Sequence, residues 1–237
     1  HSSIPSLRVI VNRPMPGILS SNYATLFPEN IKLYGVSFSK KLDAEADVYA
    51  EVSHRPNQPV SLNPFDLVGA FLMRSPNAVL ALNRGVLAIP AGGHFDAYDR
   101  FGVTTVIVGT SQGFRRALGA DRVRLVGEVA VSQVDGLPPP SQLRYGRPLP
   151  YNGAGYTGGP ACVDAVPGKT CTTEGYVTRS AWGVRLLVSA TYGNVLRGAA
   201  LTPSLMVAKD VRGWSHDGSL SEGRSLVRPA VRVDWAN

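Results

Sequence analysis

The sequence predicts an all-β fold of antiparallel strands, closed as a transmembrane β-barrel of the outer-membrane type, and three observations carry that prediction. From Leu42 to Ser53 every even position is apolar (Leu42, Ala44, Ala46, Val48, Ala50, Val52), while Asp43, Glu45, Asp47, Glu51 and Ser53 stand at odd ones. A two-residue period puts the two sets on opposite faces of a strand. The alternation recurs: Val123, Leu125, Val129 and Val131 against Arg122, Arg124, Glu128 and Ser132; Trp182, Val184, Leu186, Val188 and Tyr192 against Arg185, Ser189 and Thr191; Val227, Val231, Val233 and Trp235 against Arg228, Arg232 and Asp234. Such a wall divides either a protein core from water or lipid from a wet lumen. Length discriminates, because soluble strands average about five or six residues and a tilted membrane strand needs about nine to eleven. Several runs here reach the longer figure, and Tyr34, Trp182, Tyr192 and Trp235 lie towards run ends, where aromatic girdles sit in outer-membrane barrels.

In chain order, a strand is expected at 6–12, then a pair at 31–40 and 45–55 joined by a tight turn at Lys41, Leu42 and Asp43. Pro56 and Pro59 are expected to end the pairing, since neither donates to a ladder. Asn63-Pro64 reads as a helix cap and first turn, so Phe65 to Met73 is predicted to form a short helix, with the remainder to Asp99 irregular. Residues 60–100 therefore read as a plug or a loop excursion from the wall. Strands resume at 101–113 and 121–134. The longest loop, 135–178, contains Pro138-Pro139-Pro140, and three further strands are expected at 179–193, 198–211 and 225–235, punctuated by Tyr192-Gly193-Asn194 and Asp217-Gly218. Brief turns alternating with long loops match barrels with tight periplasmic ends and elaborate outer ends. Residues 1–237 read as a single barrel domain of seven or eight strands, expected to be a partial chain that lacks terminal strands.

Composition agrees with this wall. The hydrophobic content of 44% suits a porin-like sheet, and no run of about eighteen apolar residues exists to make a helical span. The net charge of +7 is distributed as one or two Arg or Lys per strand, without the clustered patch and stacking aromatics of a nucleic-acid partner. Cys162 and Cys171 flank a short segment containing Pro167 and Gly168. A disulfide between them would remove about 2 to 3 kcal/mol of loop entropy from the unfolded state and would accord with an exported protein; two free thiols are the alternative. No His lies at ligand spacing from either Cys, so no metal is expected there.

The run Pro28-Glu29-Asn30-Ile31-Lys32-Leu33-Tyr34-Gly35-Val36-Ser37-Phe38, with Ala50-Glu51-Val52-Ser53-His54-Arg55-Pro56-Asn57-Gln58-Pro59, resembles a proteobacterial outer-membrane barrel family known as domain of unknown function 1302. Leu118-Gly119-Ala120-Asp121, Cys171-Thr172-Thr173-Glu174-Gly175-Tyr176-Val177-Thr178, Leu201-Thr202-Pro203-Ser204 and Lys209-Asp210-Val211-Arg212-Gly213 extend the resemblance over nearly the whole chain. It implies a large antiparallel barrel in the bacterial outer membrane, in a family linked to uptake or handling of hydrophobic or lipid-like compounds. No catalytic residues are carried over. Lys209 stands where the family tends to have His, and by the resemblance the chain is expected to lack the usual C-terminal strands.

The chemistry in the sequence offers two contrasting sites. Arg122, Arg124, Arg185, Arg228 and Arg232, with Glu45, Asp47, Glu51 and Glu128, fall at the polar positions of their strands, so in a barrel they point into the lumen; an Arg facing lipid near the midplane costs about 2 to 4 kcal/mol. They rigidify the interior by pairing, and their transverse field can orient a solute carrying a carboxylate or phosphate. Against this, Gly109-Thr110-Ser111-Gln112-Gly113 fits the G-x-S-x-G elbow of serine hydrolases, with Asp210 or Asp217 and His216 available downstream. That fold needs buried parallel strands alternating with helices of ten or more residues, which the sequence lacks. Gly92-Gly93-His94 with Asp96 and Asp99 reads as turn chemistry before it reads as a metal site. The expected function is passage or handling of a hydrophobic or amphipathic small molecule across the outer membrane, without enzymatic chemistry or cofactor. The alternatives are a non-conducting component of an envelope assembly that binds a periplasmic lipoprotein, and a hydrolase acting through Ser111.

Overall fold

The computed structural model describes residues 5–12, 21–147, 172, 174–196 and 198–235. Ten strands are formed among them: β1 (Ser6–Val11), β2 (Ser21–Leu26), β3 (Tyr34–Lys41), β4 (Ala46–Ser61), β5 (His94–Asp96), β6 (Tyr98–Ala117), β7 (Ala120–Val134), β8 (Ser180–Leu196), β9 (Ala199–Arg212) and β10 (Ser225–Trp235). Seven make one antiparallel sheet in the order β10-β9-β8-β7-β6-β4-β3, and the other three make a small sheet in the order β2-β1-β5. The all-β antiparallel class expected from the alternation is therefore the class observed. Closure is not: among the described residues β3 pairs only with β4 and β10 only with β9, leaving the large sheet open at both edges.

The large sheet is a meander whose connections sort by length. Tight turns join β3 to β4, β6 to β7 and β8 to β9 at one end, and the long connections 62–97, 135–179 and 213–224 leave and re-enter the sheet at the other. Local chemistry sets the tight turns. Asp43 Oδ1 accepts the backbone N–H of Glu45 and of Ala46, each at 2.7 Å, closing an Asx turn. Leu118 and Gly119 both have positive φ, 53° and 74°, as a two-residue hairpin with primed geometry requires.

β4 runs on through both prolines that were expected to end it. Pro56 falls where the register shifts between Arg55 and Gln58, and Pro59 pairs with Arg100 of β6. The reason is positional: β3 pairs with β4 only as far as His54, so beyond that residue one side of β4 is a free edge that asks for no N–H. β6 likewise begins at Tyr98 and continues to Ala117.

The 62–97 segment is more ordered than expected. Pro64–Leu67 forms α1 and continues as a wider π-type turn over Val68–Leu72; α2 (Val79–Arg84) ends on Gly85 in the left-handed conformation, and β5 follows. Its apolar residues build the buried core of the molecule, where Leu62, Leu67, Phe71, Leu80 and Val86 meet Val9 and Val11 of β1, Val103 of β6, Val134 of β7, and Tyr145 and Val177. The core thus sits at the long-connection end of the sheet. Asp66 and Arg144, both almost wholly buried, form an ion pair that ties 62–97 to 135–147. The Tyr145 hydroxyl donates to Asp99 at 2.6 Å, while the ring meets Phe101 edge-on; burial, then the bond to Asp99, raises the phenol's pKa well above its usual range.

Away from that end no described residue outside the sheet packs over its strands. On one face, by cross-strand register, Phe38, Ala50, Val108, Val129 and Val184 form a row across five strands, and Leu186, Val207 and Val227 form another. These side chains are apolar and exposed: Phe38 is 58%, Val108 53%, Val227 63% and Val231 65% accessible.

Candidate functional site, the charged face of the sheet

The opposite face gathers the charged residues that the alternation singled out. One row runs Tyr49, Gly109, Glu128, Arg185, Ala208, Leu226 from β4 to β10, and the next runs Asp47, Ser111, Val126, Leu187, Met206, Arg228. Arg124 lies opposite Gly113 and Arg122 opposite Arg115, while Glu51 pairs in register with Ile107, all on this same face. Arg232 and Asp234 extend it along β10. Period two has thus placed all nine predicted charges on one side. The face is not uniformly polar, since Ile107, Val126, Leu187 and Met206 lie among the charges.

The groups pair across strands. At the tight-turn end Glu45 binds Arg115 at 2.5 Å and Arg122 at 2.9 Å; these guanidinium groups, Arg115 foremost, hold its carboxyl below the usual range against partial desolvation. Next along the sheet, the Ser111 hydroxyl donates to Asp47 at 3.0 Å and accepts from Arg124 Nε at 3.1 Å. Glu128 accepts from the Tyr49 hydroxyl at 3.2 Å and faces Arg185 at 3.4 Å. Arg232 pairs within its own strand with Asp234 at 2.8 Å. Among the described residues Arg228 and Glu51 have no ionic partner.

The hydrolase constellation is not assembled. Phe114 to Ala117 continue β6 instead of opening a helix, so the strand–turn–helix that the G-x-S-x-G elbow requires is absent. Ser111 lies three strands away from Asp210, whose carboxylate is bound by Arg224 at 2.6 Å. His216 belongs to the β9–β10 connection, where burial keeps its pKa below the usual imidazole value against the opposing pull of Asp217. The motif has a sheet explanation instead. Gly109, Ser111 and Gly113 share one face at i, i+2 and i+4; a side chain at Gly109 would collide with Tyr49 and one at Gly113 with Glu45. The glycines leave room for two residues of the neighbouring strand segment. Period two by itself places Gly109, Ser111 and Gly113 on one face of a strand.

Around His94, Asp96 is held by Arg8 at 2.5 Å and Asp99 by Arg84 at 2.5 Å, so both acids have protein partners. No cluster of three or more His, Cys, Asp or Glu suited to a metal occurs among the described residues. Cys162 and Cys171 lie outside the described residues, as does most of 135–178. The sequence did not single out Arg115 and Tyr49, which complete the pairing, or Arg224; Arg115 falls between the strands expected at 101–113 and 121–134, and Tyr49 is a neutral residue among acids.

No helix among the described residues is long and apolar enough to cross a membrane, which leaves strand crossing open. No curated protein and no solved structure matches the chain. The family model described as Protein of unknown function (DUF1302) matches residues 1–237, and the chain belongs to that family.

Proposed function

We propose that the seven-stranded sheet is part of the wall of an outer-membrane barrel, its apolar face against lipid and its charged face towards an aqueous lumen, and that the barrel passes hydrophobic or amphipathic small molecules. The observation behind the reading is that Phe38, Val108, Val129, Leu186 and Val227 stand exposed on one face of the sheet while the Arg–carboxylate pairs all lie on the other. A contiguous apolar surface of this extent calls for a partner, and lipid supplies one to every strand at once. The strands are also long enough: β6, β7 and β8 have 20, 15 and 17 residues, above the roughly nine to eleven a tilted crossing needs. Sorting of tight turns to one end and long connections to the other is the arrangement of outer-membrane barrels. The packed 62–97 segment, with β1 and β2, then stands at the outer mouth, and closure at β3 and β10 completes the wall.

The test is gel mobility of the full-length protein, extracted from membranes in mild detergent, before and after boiling, followed by liposome swelling with graded solutes. A band that migrates faster unboiled, with swelling in the presence of small amphipathic solutes, is the expected result. Recovery in the soluble fraction with one mobility under both conditions would refute the barrel. A heat-modifiable barrel that conducts nothing would refute passage and favour an assembly role.

A further inference from the structure

We infer that the charged face carries a binding site on β8, β9 and β10 for an amphipathic anion, an oxyanion head on an apolar body; this rests on the proposed reading and names the class of solute. A cavity of about 440 Å³ lies on this face, lined by Arg185, Met206, Ala208, Asp210, Arg224 and Leu226 among others, within the size range of small-molecule sites, about 300–1,000 Å³. Its floor is apolar, because Ala208 and Met206 lie two residues apart on β9 and so point the same way, with Leu226 opposite Ala208 on β10.

Cations flank that floor on a diagonal. Arg185 stands opposite Ala208 on β8 and Arg228 opposite Met206 on β10. The acids nearby are already engaged. Asp210 is buried, with Arg224 Nε at 2.6 Å and the Ser221 N–H at 2.9 Å, and Arg224 is further fixed by donating to the carbonyls of Gly218 and Ser219. Glu128 takes the Tyr49 hydroxyl and has Arg185 at a loose 3.4 Å. Arg228 has no acidic partner among the described residues, and Arg185 remains 47% exposed. An unbalanced positive charge beside an apolar floor suits a carboxylate, sulfate or phosphate attached to hydrocarbon; guanidinium groups bind such heads by charge-assisted paired hydrogen bonds. A neutral alcohol forgoes those bonds, and a bare short-chain anion forgoes the floor.

The experiment is equilibrium binding of radiolabelled decanoate, with decanol and acetate as comparisons, to the full-length protein in lipid nanodiscs. Wild-type protein is expected to bind decanoate about tenfold or more tighter than either comparison, and Arg185→Ala and Arg228→Ala each to lose about tenfold, equivalent to about 1.4 kcal/mol. Arg228→Lys, which keeps the charge but gives up the paired hydrogen bonds, is expected to lose less affinity than Arg228→Ala. Equal binding of decanoate and decanol, or wild-type affinity in Arg228→Ala, would overturn the site. Each variant is first run unboiled and boiled: a misfolded variant is thereby recognised, and loss of heat modifiability in the wild type itself removes the barrel reading separately from the site.

Discussion

The ring of Tyr49 on β4 occupies the space that a side chain at Gly109 on β6 would fill, and its hydroxyl reaches one strand further to donate to Glu128 at 3.2 Å. Three strands are thereby joined on the charged face by one phenol. Gly109→Val is expected to displace the ring, break the bond to Glu128 and destabilise the sheet by about 1 to 3 kcal/mol, the range for overpacking. Gly127→Ala, on the other face with open space at its Cβ, is expected to be neutral. The temperature at which the two variants lose their folded band on unheated gels reads the difference.

The Ser111 hydroxyl lies between Asp47 and Arg124, donating to the first and accepting from the second. Ser111→Ala is expected to cost about 1 kcal/mol, the net worth of a typical hydrogen bond or slightly more for charged partners, and to leave hydrolysis of acyl esters at the level of wild-type protein. Esterase assays with short-chain nitrophenyl esters on both proteins check it; activity present in wild type and absent in the variant would restore the nucleophile.

The buried pair of Asp66 with Arg144 sets a third expectation. Arg144→Met leaves the Asp66 carboxylate buried without its cation and is expected to cost about 3 to 5 kcal/mol, whereas removing both charges with Asp66→Leu and Arg144→Met recovers most of the loss. Limited proteolysis of 62–97 and 135–147 follows the effect where it is local.

His216 supplies a pH dependence. Burial depresses its folded-state pKa, with Arg55 adding to the effect and Asp217 opposing it, so the unfolded chain takes up a proton at about pH 6.5 while the folded connection resists it. The contribution of His216 to stability is complete above about pH 6.5 and falls as the pH drops below that value towards the depressed pKa. Protection of 213–224 from protease between pH 8 and pH 5 measures this, and His216→Gln is expected to flatten the profile over that window.

The large sheet was legible where apolar and polar residues alternate along most of a strand, as in Val123 to Val131 against Arg122 to Ser132. The same periodicity puts Arg122, Arg124, Arg185 and Arg228 with Glu45, Asp47 and Glu128 at the polar positions of their strands without reference to any neighbouring strand. β2 and β5 were not legible. Ser21–Leu26 and His94–Asp96 are short and exist by pairing with β1, a tertiary contact that no local pattern announces. The prolines of β4 misled for a related reason: whether Pro59 breaks a ladder depends on where β3 stops, which is information about another strand.

The most direct measurement places single cysteines at adjacent positions of β7, Val129→Cys and Ala130→Cys, in full-length protein carrying Cys162→Ser and Cys171→Ser, each labelled with a fluorophore in liposomes. Lipid-borne nitroxide should quench the label at 129 and a water-soluble quencher the label at 130, since the two side chains leave opposite faces of the sheet. Quenching of the label at 129 by the aqueous quencher alone would mean that the apolar face is not against lipid.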